Sequence, residues 1–383
     1  MFILERSLPT SQYKSDSIRT KFVKPVPMPS SSTLSFGPID LCMAYGKSLF
    51  TRDPTWVEFA EESFEALVRM QRLVVSRMPG QSSNLRLFDG FRDRYRDFSK
   101  SSRTGEFAQA VSFLFAQEIL NCPVVMDFRG YLQSIGAPVP GHNTRAPDYV
   151  GLFSAGTTNT ILIESKGSSP TRARAPFKGD LKEALAQCDA GQRWMTTNGL
   201  PLPLASYGVL VHFAEKSDGR DSQIHWCDPE MGIRQAGLAD DARALRRYYA
   251  AYSSWLDRFD ITNAILETHA ELPGQLEIRK YRNQSFYILS STYLDRWRGW
   301  SPFFSWLNRF PSRIVNRIDF GISFDILNGI VSGKGTDQIV RLFKTNAFAD
   351  EKKLQEGERA PDFPAARVFR DGTIYFTSPF KQS

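Results

Sequence analysis

Helical and strand-like segments alternate between residues 105 and 260, and this order limits the folds open to the chain. Three segments carry apolar residues at helical spacing: 106–120, KGDLKEALAQCDAGQRWM and DARALRRYYAAYSSWL. Four segments are rich in β-branched and aromatic residues, with turn or loop residues between them: APDYVGLF, NTILIESKG, SYGVLVHFA and SQIHWCDP. This order predicts an α/β fold in which helices flank a mixed central sheet.

Composition predicts three parts along the chain. Residues 1–100 contain KPVPMPSSS, which favours an extended arm over about 1–38, and an amphipathic helix that follows Thr55. The Arg-rich stretch from Arg92 to Arg103 is typical of a linker. Residues 101–260 hold the alternating core. Residues 261–383 are rich in aromatic and basic residues, end in a hairpin turned by Asp371-Gly372, and are expected to form an α+β module.

The overall composition is that of a soluble globular protein, because 42% of the 383 residues are hydrophobic and 23% are charged. No apolar run approaches the ~18 residues of a membrane span, and Glu5 and Arg6 interrupt the start of the chain where a signal peptide would be apolar. We therefore expect a cytoplasmic protein without membrane association. A net charge of +7 permits a polyanionic partner without requiring one.

Two charged motifs stand at the ends of neighbouring predicted strands. Pro147-Asp148 precedes the first strand, and Glu164-Ser165-Lys166 follows the apolar run Ile161–Ile163 in the second. A strand places Glu164 and Lys166 on one face, and a hairpin partner brings Asp148 beside them. Each motif alone has a simpler interpretation, a turn or a solvated charge pair. Charges that end a buried strand nevertheless favour a functional site.

Two carboxylates beside an ammonium group suit metal-assisted hydrolysis. Carboxylate oxygens are hard ligands, and Mg²⁺ commonly takes one or two of them and keeps waters and phosphate oxygens for the rest. The metal lowers the pKa of a bound water and offsets the charge that grows on a phosphodiester under attack. Lys166 can hold or help deprotonate that water. The pattern therefore predicts phosphodiester hydrolysis.

Pro147-Asp148 followed sixteen residues later by Glu164-x-Lys166 resembles the motif of the PD-(D/E)xK nuclease superfamily. The resemblance covers about residues 105–229, and its motif is short, so the order of elements carries as much weight as the letters. It implies a restriction-endonuclease-like core with N- and C-terminal extensions. It also implies that Asp148 and Glu164 hold Mg²⁺, with Mn²⁺ expected to substitute, and that Lys166 serves the attacking water.

Many members of that superfamily add a carboxylate from the helix before the strands. Glu106, in the first turn of that predicted helix, resembles the family's position more closely than Glu118, although a first-turn carboxylate also interacts favourably with the helix dipole. Some members place a Gln and, four residues later, a Tyr on the helix after the Lys. Gln187 occupies about the first position, but Gly191 stands at the second, so the sequence departs from the pattern of that exonuclease-like subgroup.

Basic residues in two segments are candidates for substrate binding. Arg172, Arg174 and Lys178 directly follow the second strand in a segment of loop composition, where they can contact phosphates. Residues 296–317 interleave five arginines with Trp and Phe, a mixture that either binds nucleic acid or forms the core of the C-terminal module with solvated arginines. That module is also a candidate surface for partner proteins.

Other chemistries lack their motifs in this sequence. No Walker or dinucleotide-binding glycine pattern is present, so no nucleotide cofactor is expected, and the four histidines form no zinc-hydrolase motif. The four cysteines lack the spacing of a zinc site or a disulfide framework. We expect a Mg²⁺-dependent nuclease that acts on DNA, by analogy of setting in prokaryotic restriction or phage defence. The alternatives are a catalytically silent nuclease-fold module that binds nucleic acid or protein, and a nuclease for RNA or repair intermediates.

Overall fold

The computed structural model describes eleven ranges of the chain: 6–15, 23–25, 32–48, 82–95, 97–153, 159–169, 177–229, 241–267, 271–293, 315–345 and 366–379. Its contacts form two compact units, Met1–Tyr248 and Tyr249–Ser383. The amphipathic helix predicted after Thr55 lies outside the described residues. The boundaries expected near residues 100 and 260 stay predictions, because compactness alone does not mark which parts fold independently.

An eight-stranded mixed sheet forms the centre of the first unit. Its strands are β1 (Arg6–Ser15), β2 (Val23–Pro25), β3 (Thr33–Phe36), β4 (Val124–Asp127), β5 (Tyr149–Leu152), β6 (Thr160–Ser168), β7 (Ala205–His212) and β8 (Gln223–Pro229). The order is β2-β1-β8-β7-β6-β5-β4, and β3 also pairs with β1. β6 runs parallel to β7, and β1 runs parallel to β8, whereas the other pairs are antiparallel. The predicted α/β class with a mixed sheet is confirmed.

The helices of the first unit position the central strands. They are α1 (Pro38–Ser48), α2 (Phe91–Arg94), α3 (Asp97–Glu118), α4 (Phe128–Ser134), α5 (Phe177–Thr197) and α6 (Asp241–Trp255), the last of which continues into the second unit. α5 provides the crossover between the parallel strands β6 and β7 and packs against both. α3 packs so closely on β6 that a Cβ at Gly167 would lie 2.1 Å from the carbonyl oxygen of Thr104. Only glycine fits at that contact.

The predicted hairpin of β5 and β6 is confirmed, and it crosses the core. Ile161, Leu162 and Ile163 are fully buried, as a strand covered on both faces requires. β5 pairs antiparallel with β6, and Tyr149 lies opposite Ile163. Asp148, the residue before Tyr149, therefore lies opposite Glu164, the residue after Ile163.

The expected N-terminal arm is wrong for Arg6–Ser15, which forms a strand of the main sheet. Leu8, Thr10, Tyr13 and Ser15 are buried, because β1 lies between β8 and β2. The linker expected between Arg92 and Arg103 is also wrong over most of its length, since α2 and α3 contain these two residues. Polar composition is misleading in both segments, because contacts distant in sequence bury part of them.

An antiparallel sheet with three helices makes up the described part of the second unit. Its elements are α7 (Phe259–Leu266), β9 (Glu277–Tyr281), β10 (Gln284–Tyr293), β11 (Val315–Ser323), α8 (Phe324–Val331), α9 (Thr336–Thr345), β12 (Ala366–Val368) and β13 (Thr373–Pro379). The strand order is β12-β13-β11-β10-β9. The predicted hairpin at Asp371-Gly372 is confirmed, with Gly372 at a φ of 75° that favours glycine. None of the helices described in either unit has the length and apolar character needed to span a bilayer.

Candidate active site

Hairpin pairing places the carboxylates of Asp148 and Glu164 side by side. The backbone N–H of Asp148 donates to Oε2 of Glu164 over 3.0 Å. The backbone N–H of Ser165 donates in return to Oδ2 of Asp148 over 2.9 Å. Each carboxylate is therefore fixed by the strand that carries the other, and the pair is held by backbone rather than by mobile side chains.

Lys166 completes the group on the same face of β6. Its Nζ lies 2.9 Å from Oε1 of Glu164, a side chain that is only 3% exposed. The ammonium is also 3.7 Å from Oε1 of Glu183 on α5, whose side chain is 60% exposed. Lys166 thus lies at the boundary between a buried carboxylate and solvent, with 26% of its own side chain accessible.

Burial dominates the electrostatics of this group. It raises the pKa of Asp148 to about 6, and burial together with the charge of Asp148 raises the pKa of Glu164 well above its ordinary value. Burial alone would lower the pKa of Lys166, but the Glu164 carboxylate outweighs that effect and the pKa is raised. Perturbed groups gathered in this way are typical of functional sites, because an external cation or substrate can relieve the unfavourable charge.

Two further side chains adjoin Asp148 that the sequence did not single out. The side-chain amide of Gln109 on α3 lowers the pKa of the Asp148 carboxyl, and the negative charge of Asp127 raises it. Asp127 ends β4 and caps α4 by accepting the backbone N–H of Gly130 over 2.8 Å. Helical spacing offered a signal for Gln109, since it follows Glu106 by three residues and thus lies one turn further along the helix.

Glu106 has a different environment from the one expected of a site carboxylate. It lies on α3, half-exposed, and accepts a hydrogen bond from Oγ of Ser102 over 3.2 Å. Among the described residues, no hydrogen bond or ion pair joins Glu106 to Asp148, Glu164 or Lys166. Gln109, rather than Glu106, is the side chain of α3 that affects the pKa of Asp148.

α5 contributes a close backbone approach rather than a Gln-Tyr pair. Gln187 is half-buried and has no hydrogen bond to the site within the described part of the chain. Gly191 packs directly on Pro147, because a Cβ there would lie 2.5 Å from Cδ of the proline. A larger residue at 191 would push the helix away from the residue that precedes Asp148.

The predicted substrate-binding residues are only partly within the described structure. Lys178 is exposed near the start of α5, whereas Arg172 and Arg174 lie outside the described residues. The same holds for residues 296–313 of the second unit. Arg317 lies in β11 and pairs with the buried carboxylate of Asp319, so its guanidinium is already engaged within the second unit.

No family model, curated protein or solved structure matches this chain. The functional argument therefore depends on the geometry and chemistry of the group around Asp148. The roles predicted for Asp148, Glu164 and Lys166 stay predictions, although the three side chains lie together as the motif requires.

The donor set suits a hard divalent cation. No cluster of three or more acidic, His or Cys ligands is present in the described ranges, but Mg²⁺ commonly takes only one or two protein carboxylates and keeps several waters. Asp148 and Glu164 supply that number from adjacent strands. Burial raises the pKa of the nearby Cys188 thiol well above its ordinary value, which disfavours the thiolate that a soft metal requires. The residues therefore fit Mg²⁺ or Mn²⁺ better than Zn²⁺.

Proposed function

We propose that the first unit is a divalent-metal-dependent nuclease that hydrolyses phosphodiester bonds in DNA. The observation that carries this proposal is the convergence of Asp148, just before β5, with Glu164 and Lys166 of β6. The N–H of Asp148 donates to the Glu164 carboxylate, the N–H of Ser165 donates to the Asp148 carboxylate, and Lys166 pairs with Glu164. A purely structural ion pair would not require a second, half-buried carboxylate beside the buried Glu164, since like charges in a desolvated site are unfavourable.

The order of elements supports a restriction-endonuclease-like core. α3 precedes the antiparallel hairpin of β5 and β6, α5 makes the crossover, and β7 returns parallel to β6. The superfamily that the motif resembles has its catalytic hairpin in such a setting. The additional strands β1, β2, β3 and β8 extend the sheet beyond β7, and β4 extends it beyond β5.

Each residue of the group has a defined task in this proposal. Asp148 and Glu164 would hold Mg²⁺, which when bound supplies an acidified water and stabilises charge on the phosphate. The side-chain amide of Gln109 favours the ionised form of Asp148 that a metal requires. Lys166 remains a cation at neutral pH because its pKa is raised, so it donates a hydrogen bond to the attacking water or to a phosphate oxygen rather than removing a proton.

Charge favours a nucleic-acid substrate, for which we propose DNA. The chain carries a net charge of +7, which favours association with a polyanion, and Lys178 is exposed near the start of α5. An RNA nuclease would use the same metal chemistry, so cleavage assays need both substrates. A silent binding module would retain nucleic-acid binding without metal affinity.

Calorimetric titration with Mn²⁺ separates a metal-dependent nuclease from a silent binding module. We expect the wild-type protein to bind Mn²⁺, and Glu164→Gln to lose that binding because a neutral amide replaces a ligand charge. Lys166→Ala should retain metal binding and lose cleavage of plasmid DNA. The matched control is Asp221→Asn, which should behave as wild type. Asp221 is an exposed carboxylate that pairs with Arg86.

The titration also defines failure of the proposal. Absence of Mn²⁺ binding in the wild-type protein, with DNA binding retained, would favour the silent module. Metal binding that persists unchanged in Glu164→Gln would contradict the assigned ligands.

A further inference from the structure

Side chains from two helices hold the loop that leads to Asp148. The loop comprises residues 137–146, between α4 and Pro147, and is called the 137–146 loop below. Arg129 of α4 donates through Nη1 to the carbonyl oxygen of Pro140 over 2.9 Å. Its Nη2 donates to the carbonyl oxygens of His142 and Thr144 over 3.3 and 3.2 Å. A single guanidinium therefore gathers three backbone carbonyls of one loop.

Additional contacts fix the near end of the loop. The indole N–H of Trp194 on α5 donates to the carbonyl oxygen of Pro138 over 3.0 Å. Arg243 on α6 donates to the carbonyl oxygen of Ile135, just before the loop, over 3.3 Å. Within the loop, the N–H of Thr144 closes a turn on the carbonyl oxygen of Gly141 over 2.9 Å. The backbone is thus held from both α4 and α5.

The side chains at the tip of this fixed backbone are polar and free. His142, Asn143 and Arg145 are exposed. Asn143 and Arg145 make no hydrogen bond or ion pair with any residue that the structure describes. A loop that only connects two elements does not require several side chains to fix its backbone while its own polar side chains remain unpaired. A binding surface gains from that arrangement, because less conformational entropy is lost on binding.

Position along the chain limits how far these side chains can lie from Asp148. Arg145 lies three residues before Asp148, and Asn143 lies five residues before it. These separations correspond to at most about 10 and 17 Å of extended chain. One strand of DNA advances 3.4 Å for each nucleotide. The two side chains can therefore reach bases within about five positions of a phosphate bound at Asp148.

We propose that Asn143 and Arg145 read base edges of duplex DNA beside the scissile phosphate, and that Arg129 is the positioning residue for this reading loop. Arginine pairs in bidentate fashion with guanine O6 and N7, and asparagine pairs with adenine N6 and N7. The inference deepens the proposed nuclease function and rests on it. It predicts that cleavage has a base preference near the cut.

The experiment sequences the ends produced from a randomised 40-base-pair duplex library in Mg²⁺. We expect the wild-type ends to show a base preference within about five positions of the cut. Asn143→Ala and Arg145→Ala should each relax one preferred position by about tenfold, since a bidentate base contact contributes about 1–3 kcal/mol of discrimination.

Positioning by Arg129 has its own readout. Arg129→Ala should weaken the preference at both positions and raise KM more than it lowers kcat. Arg129→Lys should restore only part of the preference, because a compact ammonium lacks the planar fork of donors with which the guanidinium spans the three carbonyls. Gln133→Ala, an exposed residue one turn further along α4, and Lys280→Ala, an exposed charge in the second unit, are the controls. Thermal melting of every variant checks that the first unit remains folded.

The outcomes separate this inference from the function on which it rests. Mg²⁺-dependent cleavage without base preference, or with a preference that survives all three substitutions, overturns the reading loop and leaves the nuclease intact. Absence of both cleavage and Mn²⁺ binding in the wild-type protein overturns the nuclease and the reading loop together.

Discussion

Replacing Asp148 by asparagine should stabilise the metal-free protein at neutral pH. Burial raises the pKa of this carboxyl from its ordinary value of 3.8 to about 6. At about 1.4 kcal/mol for each pKa unit, the ionised form costs the folded state up to about 3 kcal/mol at pH 7.5. Asparagine keeps the oxygen that accepts the N–H of Ser165 but loses the attraction to Lys166, so we expect a net gain of about 1–3 kcal/mol.

The pH dependence identifies the cause of that gain. The folded pKa is raised, so the contribution of Asp148 to stability is fully present below pH 3.8 and is lost as the pH rises through 6. Asp148→Asn removes this loss. The difference between variant and wild type should therefore be largest at pH 7.5 and shrink as the pH falls toward 4.

Asp218 is a carboxylate whose pKa is shifted in the opposite direction, and it serves for comparison. Hydrogen bonds from Arg92 lower its pKa to about 2, so its contribution to stability is present above pH 3.8 and is lost as the pH falls through 2. Asp218→Asn should therefore destabilise the protein at pH 7.5 by about 2 kcal/mol. The same chemical change thus stabilises at one site and destabilises at the other.

Urea unfolding followed by tryptophan fluorescence, in EDTA at pH 4.5 and 7.5, measures both variants. A gain of 1–3 kcal/mol corresponds to a rise of about 2–10 °C in Tm for a unit of this size. Destabilisation by Asp148→Asn at pH 7.5, or an equal gain at both pH values, would refute the reasoning from buried charge.

Two other perturbations test the packing and the electrostatics of the first unit. Gly191→Ala should cost about 1–3 kcal/mol, because its Cβ would meet Pro147 at 2.5 Å; an unchanged urea midpoint would mean that α5 shifts without strain. Burial lowers the pKa of His212 and of His225 from 6.5 to about 4, so stability is present above pH 6.5 and is lost as the pH falls toward 4. Between pH 7 and 4.5, the free energy of unfolding should fall less in the double variant His212→Gln with His225→Gln than in wild type, by up to about 3 kcal/mol for each histidine. A pH profile of Tm identical to that of wild type would contradict this account.

The local part of the fold could be predicted from the sequence because its signals are short-range. A short connection joins the two strands of the β5–β6 hairpin. Successive side chains of a strand point to opposite faces, so the position of each residue after Ile161–Ile163 determines which face it occupies. Those two facts suffice to bring Asp148 beside Glu164. The predicted helices in the core follow in the same way from apolar spacing within each segment.

The long-range part of the fold could not be predicted in that way. Thr10 of β1 pairs with Ile224 of β8, more than two hundred residues away in the chain. Periodicity describes the face that a strand buries but not the partner that buries it. The polar composition of Arg6–Ser15 therefore indicated an arm, although the sheet encloses that strand.

The surroundings of the candidate site show the same limit. Gln109 and Glu106 lie on the same helix, and sequence spacing alone could not decide which of them approaches Asp148. The tight packing of α3 against Gly167 sets the depth and rotation of that helix. On this helix it is the side-chain amide of Gln109 that acts on the Asp148 carboxyl.

Cleavage of supercoiled plasmid in Mg²⁺ by wild type and by Asp148→Asn tests the central claim most directly. The variant is expected to be at least as stable as wild type, so lost activity cannot be attributed to unfolding. We predict Mg²⁺-dependent cleavage by wild type that EDTA abolishes, and a loss of at least a hundredfold in Asp148→Asn, about 3 kcal/mol in the barrier. Cleavage by Asp148→Asn at the wild-type rate would contradict the assignment of this carboxylate to the site of hydrolysis.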